Sequence, residues 1–277
     1  MMQRQRGWRV SAFSLSGGQG KTTLSLLLGI YLIRMSYRIL WIDIDPQGTL
    51  SDYLQEGEGN LEESLATALE KGDIKRAIVP TRFSNGFLIP SNERLAQTNY
   101  YLANSGMSTI ILDRKLRELD ELQFDFILLD PPPNQNHLNL AVIGATNLCL
   151  IPVETTAKGS SGLFQTLSYL EEYRTLGAFR GEVIGIIPFR ERWFGQSMAK
   201  DSQSAKKNIA HLAELHQLKL MHSIIESEAY KKAIANLDLP SRFGHPELDY
   251  PLRETIQAIF AILSQNGVTL QKIAYMS

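Results

Sequence analysis

Cysteine is the scarcest residue in this chain: Cys149 stands alone among 277 residues. One thiol cannot build a cluster of thiolate ligands. Its setting, the apolar run 147–153, reads as a buried strand and not as a ligand or nucleophile site. An excess of charge is missing too. The 28 Lys and Arg offset 29 Asp and Glu to a net charge of −1, so no overall basic field marks a nucleic-acid binder and any such site must be a local patch. Long hydrophobic runs are absent. The longest, Leu24 to Ile33, is too short to cross a bilayer, and no signal peptide precedes it. These absences predict a cytoplasmic protein. No repeats or low-complexity linkers interrupt the chain. With 44% apolar residues, the length supports a sizeable core, and we expect one large domain over residues 1–277.

What is present begins with W-R-V-S-A-F-S-L-S-G-G-Q-G-K-T-T, from Trp8 to Thr23. It reads as a short apolar strand, a glycine-rich turn, and a Lys-Thr-Thr that opens an apolar helix over Leu24 to Leu32. Each piece suits phosphate. Gly17, Gly18 and Gly20 let the backbone curl so that its N–H groups point at phosphate oxygens. Lys21 brings positive charge to the β/γ-phosphates, Thr22 offers a hydroxyl to Mg²⁺, and the helix start adds the positive end of its dipole. A chance Lys-Thr in a glycine-rich turn is the plain alternative, but the strand before and the helix after are the context that phosphate binding requires. The general pattern G-x-x-x-x-G-K-[ST] is incomplete, for Leu15 stands at its first glycine.

Two further segments set acids at strand ends. Tyr37–Ile44 reads as a strand buried on both faces and runs into I-D-I-D-P-Q-G-T (42–49). Asp43 and Asp45 emerge at its C-terminal edge, where ligands sit in an open parallel α/β sheet. A solvated strand end with Asx-turn acids before Pro46 is the alternative. Phe124–Asp130, F-D-F-I-L-L-D, is another buried strand, stopped by Pro131-Pro132-Pro133. A carboxylate at such a tip beside a phosphate loop typically holds a Mg²⁺-bound water, which selects Asp130.

Further strands are expected at 86–91, Asn147–Val153, Val183–Pro188 and Leu218–Ile224. Helices are expected at Glu62–Glu70, from Asn92, at Ser108–Leu119, Leu163–Arg174, around Lys206-Lys207, from Glu228, and at Leu252–Leu263 with a stop at Gln265-Asn266-Gly267. The pair Tyr100-Tyr101 is expected to pack. The alternation predicts a doubly wound α/β fold: a mostly parallel sheet with helices on both faces.

The three motifs, in this order, resemble the ParA/MinD family of P-loop ATPases, whose deviant Walker A box reads K-G-G-x-G-K-T-T. The family's signature lysine position is Ser16 here. The resemblance implies an ATP and Mg²⁺ site in which Ser16, Gly17, Gly18, Gln19, Gly20, Lys21, Thr22 and Thr23 cradle the nucleotide. By the same likeness Thr22 and Asp130 serve the metal, Asp43 supports the Mg²⁺ shell, and Asp45 positions or activates the attacking water. It also implies a homodimer that sandwiches ATP. The strings S-G-G-Q-G-K-T-T and T-A-K-G (156–159) look like the carboxysome-distributing McdA branch, known for serine in this slot and a compensating lysine after a later strand. That likeness puts Lys158 on phosphate across the dimer; otherwise it is a solvated loop lysine.

Arg190, Arg192, Lys206, Lys207, Lys231, Lys232 and Arg242 concentrate positive charge in the C-terminal third, diluted by Glu191, Glu226 and Glu228. Family members that bind nucleoid DNA use basic residues of this region on phosphates without reading bases. The resemblance therefore implies a nucleoid-associated ATPase, with hydrolysis stimulated by an adaptor that is McdB-like for carboxysomes or ParB-like for a plasmid or chromosome. An ordinary solvated face is the alternative. The last ten residues carry one lysine, too little cationic charge for an amphipathic membrane anchor. An amidotransferase-type ligase shares the P-loop architecture but needs a nucleophilic cysteine, for which Cys149 is a poor candidate.

Overall fold

The computed structural model describes residues 7–56, 64–195 and 197–268. In chain order its elements are β1 (Trp8–Ala12), α1 (Lys21–Arg34), β2 (Ile39–Asp43), α2 (Thr49–Leu54), α3 (Leu65–Glu70), β3 (Val79–Pro80), β4 (Gly86–Ile89), α4 (Arg94–Ser105), α5 (Ser108–Arg117), β5 (Phe126–Asp130), α6 (His137–Ala145), β6 (Leu148–Glu154), α7 (Ala157–Thr175), β7 (Glu182–Glu191), β8 (Trp193–Phe194), β9 (Ser197–Met198), α8 (Lys200–Leu215), β10 (Ile224–Ile225), α9 (Glu228–Ala235) and α10 (Tyr250–Gln265). One eight-stranded sheet runs β10-β7-β6-β1-β5-β2-β4-β3. Its pairings are parallel except at the edge, where β3 meets β4 antiparallel.

Strand alternation divides the core in two. Along β2, Leu40 and Ile42 face one layer while Ile39 and Trp41 face the other. The first layer is filled from α3 to α8, and the second from α1, α2, α9 and α10. Both faces of the central strands are thus buried, which is why they read as continuous apolar runs. This is the expected doubly wound, mostly parallel architecture. β1 lies between β5 and β6, and the chain turns in opposite senses on either side of it. That is the switch point at which parallel sheets open a crevice at their carboxyl ends.

Several boundaries differ from expectation. α7 begins at Ala157, six residues before Leu163, because Thr156 caps it by accepting a hydrogen bond from the Gly159 amide. The segment 218–224 is not a continuous strand. Leu220 makes a lone bridge to Ile186, and the His222 amide then donates to the Glu254 carboxylate instead of the ladder. Only Ile224–Ile225 therefore forms a strand, and its register against β7 shifts between the two residues. α3 starts after its cap Ser64, and the expected residues 62 and 63 lie outside the described ones. Tyr100 does not pack: it is 72% exposed. The C-terminal residues 269–277, which bear on the membrane expectation, also lie outside. Among the described residues, no helix is long and apolar enough to cross a membrane.

Candidate nucleotide site

From β1 the chain turns through 17–20 into α1. Gly20 has φ +94°, and a Cβ there would sit 2.5 Å from the Phe189 ring on β7, so both conformation and space demand glycine. α1 has no side-chain cap and no acid in its first turn, which leaves its leading amides and dipole for an anion. The Lys21 ammonium donates to the Ser16 carbonyl at 3.1 Å. Burial lowers its pKa, partly opposed by Asp130 and Asp45. The loop is braced from three sides. The Leu15 amide donates to Thr166 Oγ1 of α7 (3.1 Å), the Asn134 amide donates to the Leu15 carbonyl (2.6 Å), and buried Gln19 accepts from the Glu154 amide (2.9 Å).

The acids converge from adjacent strands. Asp43 and Asp130 are cross-strand partners of β2 and β5. Asp130 is 1% exposed, and neither of its carboxylate oxygens completes a hydrogen bond, although the Thr22 hydroxyl lies beside it. Burial, with Asp43 nearby, pushes its pKa well above the usual range. A carboxylate so placed is costly unless a cation joins it. Asp43 is fully buried and its oxygens are already engaged, by the Ser51 amide and hydroxyl (2.8 and 2.7 Å) and by the Asp45 amide (3.2 Å). Burial still raises its pKa to about 6. Asp43 therefore holds the turn from behind. Asp45 sits at the rim; its Oδ1 accepts from the Gln47 amide at 3.0 Å, so the Asx turn and the outward-facing acid coexist.

Among the described residues no cluster of three or more His, Cys, Asp or Glu forms a metal cage. One orphaned carboxylate beside a hydroxyl is a donor set that fits Mg²⁺, which keeps waters and takes its remaining oxygens from phosphate. The residues present fit a Mg²⁺–nucleoside triphosphate.

Lys158 stands exposed in the first turn of α7, with no ion pair among the described residues. A cation there opposes the helix dipole. Ser16 faces the same helix: a Cβ on Gly162 would come within 2.2 Å of Ser16 Oγ. Thus the slot on the loop and the lysine on α7 lie on two elements in direct contact.

Residues 9–177 match the AAA domain family AAA_31. The chain belongs to this family of ParA/MinD-type P-loop ATPases. It is 40% identical over 250 residues to the maintenance of carboxysome distribution protein A of Gloeothece citriformis, covering 89% of this chain and 94% of the relative. It is 38% identical to the protein of the same name from Synechococcus elongatus, over 90% and 98%. The ATP complex of a Cyanothece McdA variant superposes with a TM-score of 0.87 at 37% identity, covering 92% of this chain and 97% of that one.

In this ATPase fold the C-terminal cations are mostly paired. Arg190 meets Glu154 (3.4 Å), Arg192 meets Asp201, Lys231 meets Glu228 (2.7 Å), and Lys206 meets Glu191 (2.7 Å). Glu191 is 2% exposed; burial would raise its pKa, but Lys206, Ser223 and Trp193 hold it below the usual range. Lys232 lies 4.8 Å over the Phe243 ring. Lys207 is exposed, with no ion pair among the described residues. Cys149 is buried, and burial pushes its thiol up to about 12, unlike an activated nucleophile.

Several residues of the site were not singled out from sequence. Ser51 and Ser91 secure the acid turn, Ser91 donating its amide to Ser51 Oγ and its hydroxyl to the Asp45 carbonyl. Phe189 closes on Gly20 and Thr166 braces Leu15. The polar Ser51 within T-L-S-D-Y-L, buried beside Leu50 and Leu54 on the inner face of α2, was the available signal.

Proposed function

We propose that this chain is a single-domain, Mg²⁺-dependent ATPase that distributes carboxysomes over nucleoid DNA. Similarity along nearly the whole chain to carboxysome distribution proteins carries this reading. In it, Lys21, the loop amides from Gly17 to Thr23 and the start of α1 hold the phosphates of ATP. Thr22 and Asp130 hold Mg²⁺, with Asp43 supporting the Mg²⁺ shell from the neighbouring strand. Bound Mg²⁺ supplies charge neutralisation at the phosphate oxygens. Asp45 orients the water that attacks the γ-phosphate in line. Lys158 reaches phosphate from the partner subunit of an ATP-sandwiched homodimer, taking the place of a lysine at Ser16. In that dimer Lys207 and Lys232, with Arg190, Arg192, Lys206 and Lys231 around them, contact DNA phosphates without reading sequence. An McdB-like adaptor stimulates hydrolysis and releases the dimer.

The test is steady-state ATP turnover with DNA and the adaptor, singly and together, for wild type and Asp45→Ala. The reading expects turnover that rises when both are present, and an Asp45→Ala protein that stays dimeric with uncleaved ATP. Asp45→Ala turning over ATP at the wild-type rate would overturn the role of Asp45. Turnover indifferent to the adaptor would overturn the cargo cycle.

A further inference from the structure

We propose that Gln19 is a positioning residue that fixes the first turn of α7, and with it Lys158, in register with the phosphate loop. The proposal rests on the reading of Lys158 above and adds what makes that lysine effective. A lysine at position 16 would project from the phosphate loop itself. Here the cation belongs to another element, so its reach depends on how rigidly that element is joined to the loop.

Gln19 makes the joint. Its side chain is 1% exposed, and both ends of the amide are used. Oε1 accepts from the Glu154 amide at 2.9 Å, and Nε2 donates to the Gly17 carbonyl at 3.2 Å. From Glu154 the chain folds tightly into α7: the Thr156 amide donates to the Glu154 carbonyl (2.8 Å), Thr156 Oγ1 accepts from the Gly159 amide (3.1 Å), and the Ser160 amide donates to the Thr156 carbonyl (3.0 Å). Lys158 lies inside that turn.

The packing of α7 is a second, independent observation. Gly159 and Gly162 are three apart and share a helix face. A Cβ on Gly159 would fall 1.9 Å from the Glu154 carbonyl oxygen and 3.2 Å from Gln19 Oε1, while one on Gly162 would strike Ser16 Oγ. The helix backbone itself is laid against the loop at Ser16 and Gln19, with no side chain between to act as a hinge. Lys158 gains nothing from the α7 dipole and has no ion pair among the described residues, so its pose is set by this register and not by a local acid.

The experiment compares wild type, Gln19→Met, Lys158→Ala and the double variant. Gln19→Met keeps side-chain length and deletes both hydrogen bonds. In nucleotide-free protein, amide exchange at Gly159 and Ser160 should speed up by about tenfold in Gln19→Met, with α10 unchanged. ATP-dependent dimerisation should weaken by about tenfold, and the double variant should be no worse than Lys158→Ala. Unchanged exchange at 159–160, or losses that multiply in the double variant, would overturn the proposal while leaving Lys158 in its role. Lys158→Ala dimerising like wild type would overturn the phosphate role of Lys158, and this proposal with it. If Gln19→Met does not fold cooperatively, amide exchange of the wild type serves. The Glu154 amide, which donates to Gln19, should open together with the Gly159 and Ser160 amides, and a Glu154 amide that exchanges far faster than those two overturns the proposal.

Discussion

The fold treats charge in two opposite ways. At the phosphate loop it leaves charge unanswered: Asp130 is buried with neither oxygen hydrogen-bonded, and Lys158 stands against a helix dipole without an ion pair among the described residues. In the C-terminal third it answers most of the cations with a carboxylate, even burying Glu191 to meet Lys206. The difference separates a site whose missing partner is a ligand from a surface that is electrostatically quiet in the free chain. Unmet buried charge is expensive and persists where something else completes it. Exposed ion pairs contribute little and can be exchanged for other partners at small cost. In the proposed reading, DNA binding by the second region depends on bringing two copies together, whereas the phosphate loop and its acids are assembled within one.

The largest expected effect breaks the first region. Asp130→Asn should lower ATP turnover by about 100-fold or more while raising the melting temperature of the nucleotide-free protein. The pH dependence has a definite sign. The folded-state pKa values of Asp130 and Asp43 lie above the unfolded value, that of Asp43 at about 6. Their contribution to stability is thus complete below the unfolded value and is lost as pH rises through the folded ones. The stability advantage of Asp130→Asn should grow from acid pH towards neutrality, read from melting curves without nucleotide. An advantage that shrinks over that range would place the unmet charge elsewhere.

Gly20→Ala comes next. It strains a left-handed residue and drives a methyl into Phe189, at a cost of about 1–3 kcal/mol, and it should weaken nucleotide binding more than Gly18→Ala. Gly18 shares the positive φ but has nothing within 4 Å of its would-be Cβ. Denaturant melts and titration with a fluorescent ATP analogue measure the two consequences separately.

Smaller effects sharpen the second region. Lys207→Ala, which breaks no ion pair among the described residues, should weaken DNA binding and reduce its salt slope by about one. Lys206→Ala should show a mixed phenotype, because it also strands the buried Glu191 and lowers stability. Lys231→Ala, on a fully exposed pair with Glu228, should leave the melting temperature unchanged. Equal salt slopes and equal stabilities for all three would erase the distinction between paired and unpaired cations.

How legible the site was in sequence follows from how local its parts are. Gly17–Thr23 are contiguous, so their place in one loop could be read from spacing, as could the positions of Asp43, Asp45 and Asp130 at the ends of apolar runs. Gln19 as a joint, Ser91 beneath Asp45 and Phe189 over Gly20 were not legible, because each gains its role from a contact that only the folded chain creates. The same holds for elements. α6 lies in a core layer with Ala141, Val142, Ile143 and Ala145 all buried, so it has no polar face to give it a period. The G-S-S-G of α7 looks like loop, yet its glycines are helical residues made small for close approach. The long alternation of strand and helix carried the topology even where boundaries moved.

The most direct measurement of the central claim, that ATP completes the first region and only then engages the second, is binding to random-sequence duplex DNA. It would be made without nucleotide, with ADP–Mg²⁺ and with ATP–Mg²⁺, across a salt series, for wild type and Asp45→Ala. The account predicts binding only with ATP–Mg²⁺, falling steeply as salt rises and persisting longest for Asp45→Ala. Binding of equal strength in all nucleotide states, or none in any, would contradict it.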